Sequence, residues 1–192
     1  MVKPTPLCRL AFKYGTDKCP QIGHSYTPFY YKLLKARRKK IKKVMEIGIG
    51  SRETMQWVPP HYQTGASLLM WRDFFPNAKI YGVDRHPGTI FKAHRIKTIL
   101  LSTAHTLNLQ KLVSLVGPDI DLVIDDGPHN ERFQIRTAQT LVPLLKSNCL
   151  YIIEDVKRPD IVSQLLAEFD CQAIKFPNGR KQDNLVIVRA KK

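Results

Sequence analysis

Apolar positions along this chain fall into two rhythms that alternate from about residue 43 onward. Short, nearly continuous apolar runs occupy Lys43–Ile47, Ala78–Asp84, Ile96–Leu101, Asp121–Asp125 and Cys149–Asp155. Runs of that length and density suit strands buried on both faces of a sheet. Between them the apolar residues are spaced helically: over Ala66–Phe75, with Leu68, Leu69, Trp71 and Phe74 as a stripe, then over Leu107–Val116, residues 130–145 and Pro159–Phe169. In the third of these helices Phe133, Ile135, Leu141 and Leu144 are the buried candidates, and Trp71 reads as core. Strands alternating with helices predict a parallel sheet covered on both sides. The last two strands, Gln172–Phe176 and Asn184–Arg189, are separated only by Pro177–Asp183. That connection is too short for a helical crossover, so the pair closes as an antiparallel hairpin. The predicted fold is a Rossmann-like, doubly wound α/β sheet of seven strands, mostly parallel.

Ahead of the first strand, residues 1–24 carry Pro4, Pro6, Gly15, Pro20 and Gly23 and read as an irregular arm. A helix opens at Ser25 or Thr27 beside Pro28 and runs to Leu34. Residues 1–40 are thus an arm and helix, and residues 41–192 one catalytic unit, with 51–64 as a loop around Pro59-Pro60. No apolar run approaches the roughly 20 residues of a membrane span. The opening Met-Val-Lys-Pro-Thr-Pro lacks the apolar core of a signal peptide. Cys8, Cys19, Cys149 and Cys171 are scattered with no Cys-x-x-Cys pair, which favours reduced thiols and a cytoplasmic protein without membrane partners.

Charge alters this ordinary picture. Lys and Arg total 31 against 16 Asp and Glu, a formal net charge of +15. Such a field attracts polyanions, whether nucleic acid, phosphorylated substrates or an anionic surface. Much of it is local: Lys35–Lys43 holds seven cations in nine residues. A solvated helix end and an anion-binding stretch both fit that run.

Candidate chemistry gathers at the predicted carboxyl ends of the strands, where open α/β sheets collect ligands. The first strand ends in Glu46-Ile-Gly-Ile-Gly50, but position 53 is Glu, so the third glycine of a dinucleotide fingerprint is missing. An acid two residues before Gly48 suits a cationic or amine-bearing ligand better than a phosphate. Asp84 ends the neighbouring strand, where an acid accepts hydrogen bonds from ribose hydroxyls. A glycine turn and a ribose acid without a phosphate grip describe a nucleoside cofactor, and S-adenosylmethionine fits. The fourth strand ends in Asp125-Asp126-Gly-Pro-His129 and the fifth in Glu154-Asp155. Acid clusters facing one cleft raise each other's pKa values, a penalty that a hard divalent cation removes. His61, His86, His94 and His105 show no metal-ligand spacing.

An ordered set of motifs extends this reading: Tyr14-Gly-Thr-Asp-Lys18, His24-x-Tyr26-x-x-x-Tyr30, Glu46-x-Gly-x-Gly50, Gly65-Ala-Ser-Leu68 with Met70-Trp71, Phe75-Pro-Asn-Ala78 leading to Gly82-Val-Asp84, Ile124-Asp-Asp-Gly-Pro-His129 and Ile153-Glu-Asp155. In this order the chain resembles the class I S-adenosylmethionine-dependent methyltransferases, and within them the magnesium-dependent sugar O-methyltransferases of the mycinamicin and tetracenomycin rhamnosyl type. The resemblance implies magnesium on Asp126, Glu154 and Asp155, with His129 as general base and Asp126 beside it. It implies cofactor contacts at Glu46, Gly48, Gly50, Ser67, Asp84, Asp125, Thr16, Asp17 and Lys18, and substrate contacts at His24, Tyr26 and Tyr30. The implied acceptor is a sugar-like hydroxyl on a small molecule.

The chain departs from the family at three places. Leu101-Ser-Thr-Ala104 stands where a Gly-Asp-Gln segment near the adenine is usual, so that contact is not carried over. The acid motif has Pro128 in place of a serine. No counterpart of the macrolide enzymes' extra N-terminal domain is read here, so their lid and assembly are not carried over either. Two other readings stay open on the charge: a ribose or cap methyltransferase acting on RNA, and a basic, non-catalytic binding module on the same fold.

Overall fold

The computed structural model describes residues 3–55, 58–176 and 183–191. The strands are β1 (Lys43–Ile47), β2 (Lys79–Asp84), β3 (Lys92–Ala93), β4 (Ile96–Leu100), β5 (Leu122–Asp125), β6 (Leu150–Ile153), β7 (Asp170–Lys175) and β8 (Asn184–Arg189). They form one sheet in the order β3-β4-β2-β1-β5-β6-β8-β7. The expected parallel core and closing antiparallel pair are present. The eighth strand is the addition: β3 is a two-residue antiparallel pairing on the outer edge of β4. It is too short to leave a period in the sequence. The connection at 177–182 lies outside the described residues.

The helices are α1 (Pro6–Tyr14), α2 (Tyr26–Leu34), α3 (Ala66–Phe74), α4 (Thr106–Val116), α5 (Glu131–Leu141) and α6 (Pro159–Leu165). The first part of the N-terminal arm is therefore helical, and only residues 15–25 are irregular: Thr5 accepts a hydrogen bond from the Cys8 amide, Pro6 opens the first turn and Gly15 closes α1 in the left-handed region. Prolines there start a helix instead of preventing one. In α5 the buried positions are Gln134, Thr137, Ala138 and Leu141. Phe133 and Ile135 are only half-buried, and Leu144 is exposed in a 3₁₀ turn over Val142–Leu144, where Pro143 ends the α-helical ladder.

Strand parity divides the core into two layers. Val44, Ile80, Leu122, Ile124, Ile152 and Ile187 pack with α1, α2 and α3. Met45, Val83, Val123, Tyr151, Ile153 and Val186 pack on the other face with α4, α5 and α6. Trp71 is fully buried in the first layer, edge-on to Tyr30 at 5.4 Å. After β4 the chain crosses to the far side of β1 to form β5, so the crevice between β1 and β5 is where the topology switches.

At the opposite, amino-terminal end of the sheet, Asp121 ties β1 to β5 and β6. Its carboxylate accepts from the amides of Lys42 (2.6 Å) and Lys43 (3.0 Å) and from the Lys146 ammonium. Burial alone would push this carboxyl up, but Lys146 and the two amides outweigh it and hold it below its ordinary value. Its contribution is therefore full above the unfolded pKa of about 3.9 and is lost as pH falls through the lower folded value. Asp121→Ala is expected to cost about 1–3 kcal/mol at pH 7 in urea unfolding, and the difference from wild type should close in acid.

Candidate active site

Parity also decides which strand-end acids meet. Glu46 lies on the same face of β1 as Val44, and Glu154 continues the face of Ile152, so both project toward α2 and the loop after α1. Asp125 has the opposite parity. Its Oδ2 accepts from the Tyr151 hydroxyl at 2.5 Å, it is buried among the α4–α6 layer, and burial pushes it up to about 6. The Asp125 side chain, expected at the cofactor, is thus placed on the α4–α6 side, where it anchors β5 to β6.

A cavity of about 510 Å³ opens over the crevice. Its walls include Thr16, Asp17, Lys18, Ser67, Gly48, Gly50, Asp84, Asp126 and His129, with Glu154, Asp155 and His24 on its acidic side. Leu101–Ala104 line it beside Asp84, where the usual Gly-Asp-Gln segment is missing. Ile47 pairs with Asp125, so Gly48 and Asp126 leave the sheet side by side. A Cβ on Gly48 would lie 2.0 Å from the Asp126 carbonyl oxygen. Asp84 clamps the turn, its Oδ2 accepting from the amides of Ile49 (2.9 Å) and Gly50 (3.4 Å) while Oδ1 takes the His86 amide. Glu46 is fully buried and makes no close side-chain hydrogen bond among the described residues; its nearest cation is the Lys18 ammonium. Burial raises it to about 7. A buried carboxylate with the Lys18 ammonium 3.4 Å from Oε1, beside a turn with no room for a side chain, gives this end of β1 an acidic character that suits a cationic or amine-bearing ligand.

The acids form an inner and an outer cluster that share Asp126. On the inner side the Lys18 ammonium lies 2.6 Å from Asp126 Oδ2, 3.4 Å from Glu46 Oε1, and in contact with Glu154 Oε2. Burial works against that ammonium, but Asp126, Glu154 and Glu46 outweigh it and hold its pKa well above normal. Burial raises Glu154 to about 8. On the outer side His129 Nε2 lies 3.3 Å from Asp126 Oδ1 and 3.2 Å from Asp155 Oδ2. The hydrogen bond with Asp126 is the main reason His129 is raised to about 9. Burial would raise Asp126, yet Lys18 and His129 together hold it below the usual carboxylate range. Asp155 adopts a left-handed backbone, φ 53°, which turns its carboxylate into the cluster. Such a conformation outside glycine is uncommon and concentrates at functional sites.

Asp126, His129 and Asp155 each place a ligand atom within 4.8 Å of the other two. Two carboxylates converging on one point suit a hard divalent cation. Glu154, the third acid of the expected metal set, is engaged on the inner side by Lys18 and by the Tyr30 hydroxyl at 2.6 Å. Tyr26 and Tyr30, expected at the acceptor, stand behind the acids. Both are fully buried and touch no open space; the Tyr26 hydroxyl donates to Asp155 Oδ1 at 2.5 Å, so the pair positions the acids from behind. His24 is buried at the cavity wall, stacked on Tyr26 at 4.9 Å, 2.9 Å from Asp183 Oδ1 and 3.5 Å from Asp17 Oδ2. Burial would lower it, but Asp17, Asp155 and Asp183 prevail and raise it to about 9. Asp183 went unread in the sequence, since nothing near it signals a partner 159 residues away.

No family model matches the sequence. The chain is 34% identical over 154 residues to 8-demethyl-8-(2-methoxy-alpha-L-rhamnosyl)-tetracenomycin-C 3'-O-methyltransferase of Streptomyces olivaceus, covering 80% of this chain and 37% of that protein. It is 33% identical over 150 residues to mycinamicin VI 2''-O-methyltransferase of Micromonospora griseorubida, covering 78% and 36%. The MycE methyltransferase from the mycinamycin biosynthetic pathway, solved in complex with Mg and SAH, superposes with a TM-score of 0.76 at 25% identity, over 97% of this chain and 55% of that one. The chain has the class I methyltransferase fold, and over most of its length it is similar to sugar O-methyltransferases. It spans little more than a third of the length of the curated relatives it matches. The fold extends to more distant methyltransferases: SAH-bound PaMTH1 of Podospora anserina has a TM-score of 0.62 at 18% identity, over 98% of this chain and 89% of that one. Among the described residues no helix is long and apolar enough to cross a membrane.

Proposed function

We propose that the protein is an S-adenosylmethionine-dependent O-methyltransferase acting on a hydroxyl of a sugar or glycosylated small molecule, assisted by a divalent cation, with His129 as general base. The observation that carries this reading is His129 Nε2 poised between Asp126 and Asp155 on the wall of the cavity that also holds the glycine turn. The relatives named for sugar O-methylation support the acceptor class.

The chain's residues divide the work. Gly48 and Gly50 leave room for a ligand backbone at the end of β1, and the buried Glu46 carboxylate beneath the turn favours an amine there. Asp84 stands at the place of a ribose contact, with Leu101–Ala104 beside it. When bound, S-adenosylmethionine supplies an electrophilic methyl group on a sulfonium. A divalent cation on Asp126 and Asp155 would acidify a coordinated hydroxyl and offset the carboxylate charge that raises His129. With that charge offset, the half-exposed His129 can give up its own proton to solvent and, once neutral, take the hydroxyl proton at Nε2. Tyr26 and Tyr30 keep the acids in place, and the remaining task is to hold the acceptor oxygen in line.

The basic run does not favour an RNA acceptor at this cleft. Lys43 begins β1, at the amino end of the sheet, whereas the cavity lies at the carboxyl ends. There Arg38 donates to the Phe74 carbonyl, and Lys43 to the Val116 carbonyl and Asp119. The test is methyl transfer to a rhamnosylated polyketide with S-adenosylmethionine and magnesium, followed by mass spectrometry between 50 and 200 mM salt. We expect a product one methyl heavier and a rate nearly independent of salt. A polyanionic acceptor would instead lose affinity by orders of magnitude over about that range, and absence of cofactor binding by calorimetry would end the enzyme reading.

A further inference from the structure

We propose that Lys18 is a tethered cation that competes with the divalent ion for the acid cluster, the ammonium and the metal excluding each other at Glu154. This rests on the metal-assisted reading above and goes beyond it by giving the site an occupant of its own.

Three observations carry the inference. Lys18 is 2% exposed, and its ammonium reaches Asp126, Glu154 and Glu46 together. Glu154, which the sequence pattern places among the metal ligands, has both oxygens engaged: Oε2 by Lys18 and Oε1 by Tyr30. Asp126 is shared, with Oδ2 turned inward to Lys18 and Oδ1 outward to His129. An ion bound by Asp126 and Asp155 alone would sit across one carboxylate from the ammonium. An ion that also takes Glu154 must displace it. Two cations a few ångströms apart in a buried site repel strongly, so whatever Lys18 contributes to balancing these acids is lost to the metal's affinity. The lysine has the means to yield: a flexible four-carbon stem carrying a compact charge, on the loop between α1 and α2, with the open cavity beside it.

The test measures metal binding without S-adenosylmethionine or acceptor, so a failure of methyl transfer would not bear on it. Mn²⁺ affinity is compared by electron paramagnetic resonance in wild type, Lys18→Met and Lys18→Arg. Lys18→Met should bind at least about tenfold more tightly than wild type, and Lys18→Arg, which keeps the charge, should not. Unchanged or weaker binding by Lys18→Met overturns the proposal, as does no binding by any of the three at millimolar Mn²⁺. Because Lys18→Met strips the acids of their counter-charge and can fail to fold, wild type supplies a second readout. The ¹⁵Nζ resonance of Lys18 should shift on adding Mg²⁺ with the half-saturation of metal binding. A resonance that stays put while the ion binds overturns the proposal equally.

Discussion

Replacing His129 with alanine is expected to lower turnover by about 10²- to 10⁴-fold, the usual contribution of a positioned general base, while S-adenosylmethionine affinity stays at the wild-type level. The separation follows from where the ring sits. His129 shares the cavity with the glycine turn, its polar partners among the described residues are Asp126 and Asp155, and its side chain is 47% exposed. A loop histidine before a helix could instead serve as a cap, and its loss would then unfold the start of α5. That role is already filled: the Asn130 side chain accepts from the Arg132 amide at 3.0 Å. The variant should therefore melt near wild type and bind cofactor in calorimetry, yet fail in single-turnover methyl transfer. Turnover equal to wild type would remove His129 from the chemistry. Lost cofactor affinity would reassign it to the architecture of the cleft.

The parts of this site that were legible in the sequence are those fixed by local pattern. The runs ending at Glu46, Asp126 and Glu154 announced buried strands, and the order of the motifs brought their tips to one end of the sheet. Period-two parity held more than was read from it. Counting back from Asp125 through Val123 assigns that acid to the α4–α6 face, away from Glu46 and Glu154. The start of α1 was legible too, as Thr5-Pro6 with Gly15 at its close, but the prolines were read as breakers. What no local pattern carries is the pairing across the chain. Lys18 meets Asp126 across 108 residues, Tyr30 meets Glu154 across 124, and Tyr26 meets Asp155 across 129. The motif resemblance marked these residues as belonging to the site. Only packing shows that the tyrosines stand behind the acids and that the lysine stands among them.

The charge pattern has a similar division. The excess of cations is real, but position in the fold separates it from the chemistry: the dense run precedes β1, and the cleft lies beyond the other end of that strand. Inside the cleft the balance is reversed, with Glu46, Asp126, Glu154 and Asp155 set against Lys18, His24 and His129. A sequence-wide net charge therefore says little about the acceptor of a site whose own lining is acidic.

Gly48→Ala should be the most damaging single-methyl change in the cleft, and Gly50→Ala a much milder one, although both glycines have positive φ, 87° and 69°. The backbone conformation alone costs an alanine of order 1 kcal/mol at either position. Space separates the two. At Gly50 the new Cβ meets the Met55 sulfur at 2.4 Å, the end of a side chain that can rotate away. At Gly48 it meets the Asp126 carbonyl at 2.0 Å, and that is backbone. Neither side can retreat cheaply, because the Gly48 amide donates to Val83 at 2.8 Å and the Asp126 amide to Ile47 at 2.9 Å. Relief must come from prising β1 and β5 apart at the switch point, which would move Asp126 away from both Lys18 and His129. We expect Gly48→Ala to lose about 3 kcal/mol or more in denaturant unfolding and to abolish measurable S-adenosylmethionine binding. Gly50→Ala should stay within about 1–2 kcal/mol of wild type and still bind. Equal, small effects at both positions would mean that the close approach of Gly48 to Asp126 does not hold the cleft together.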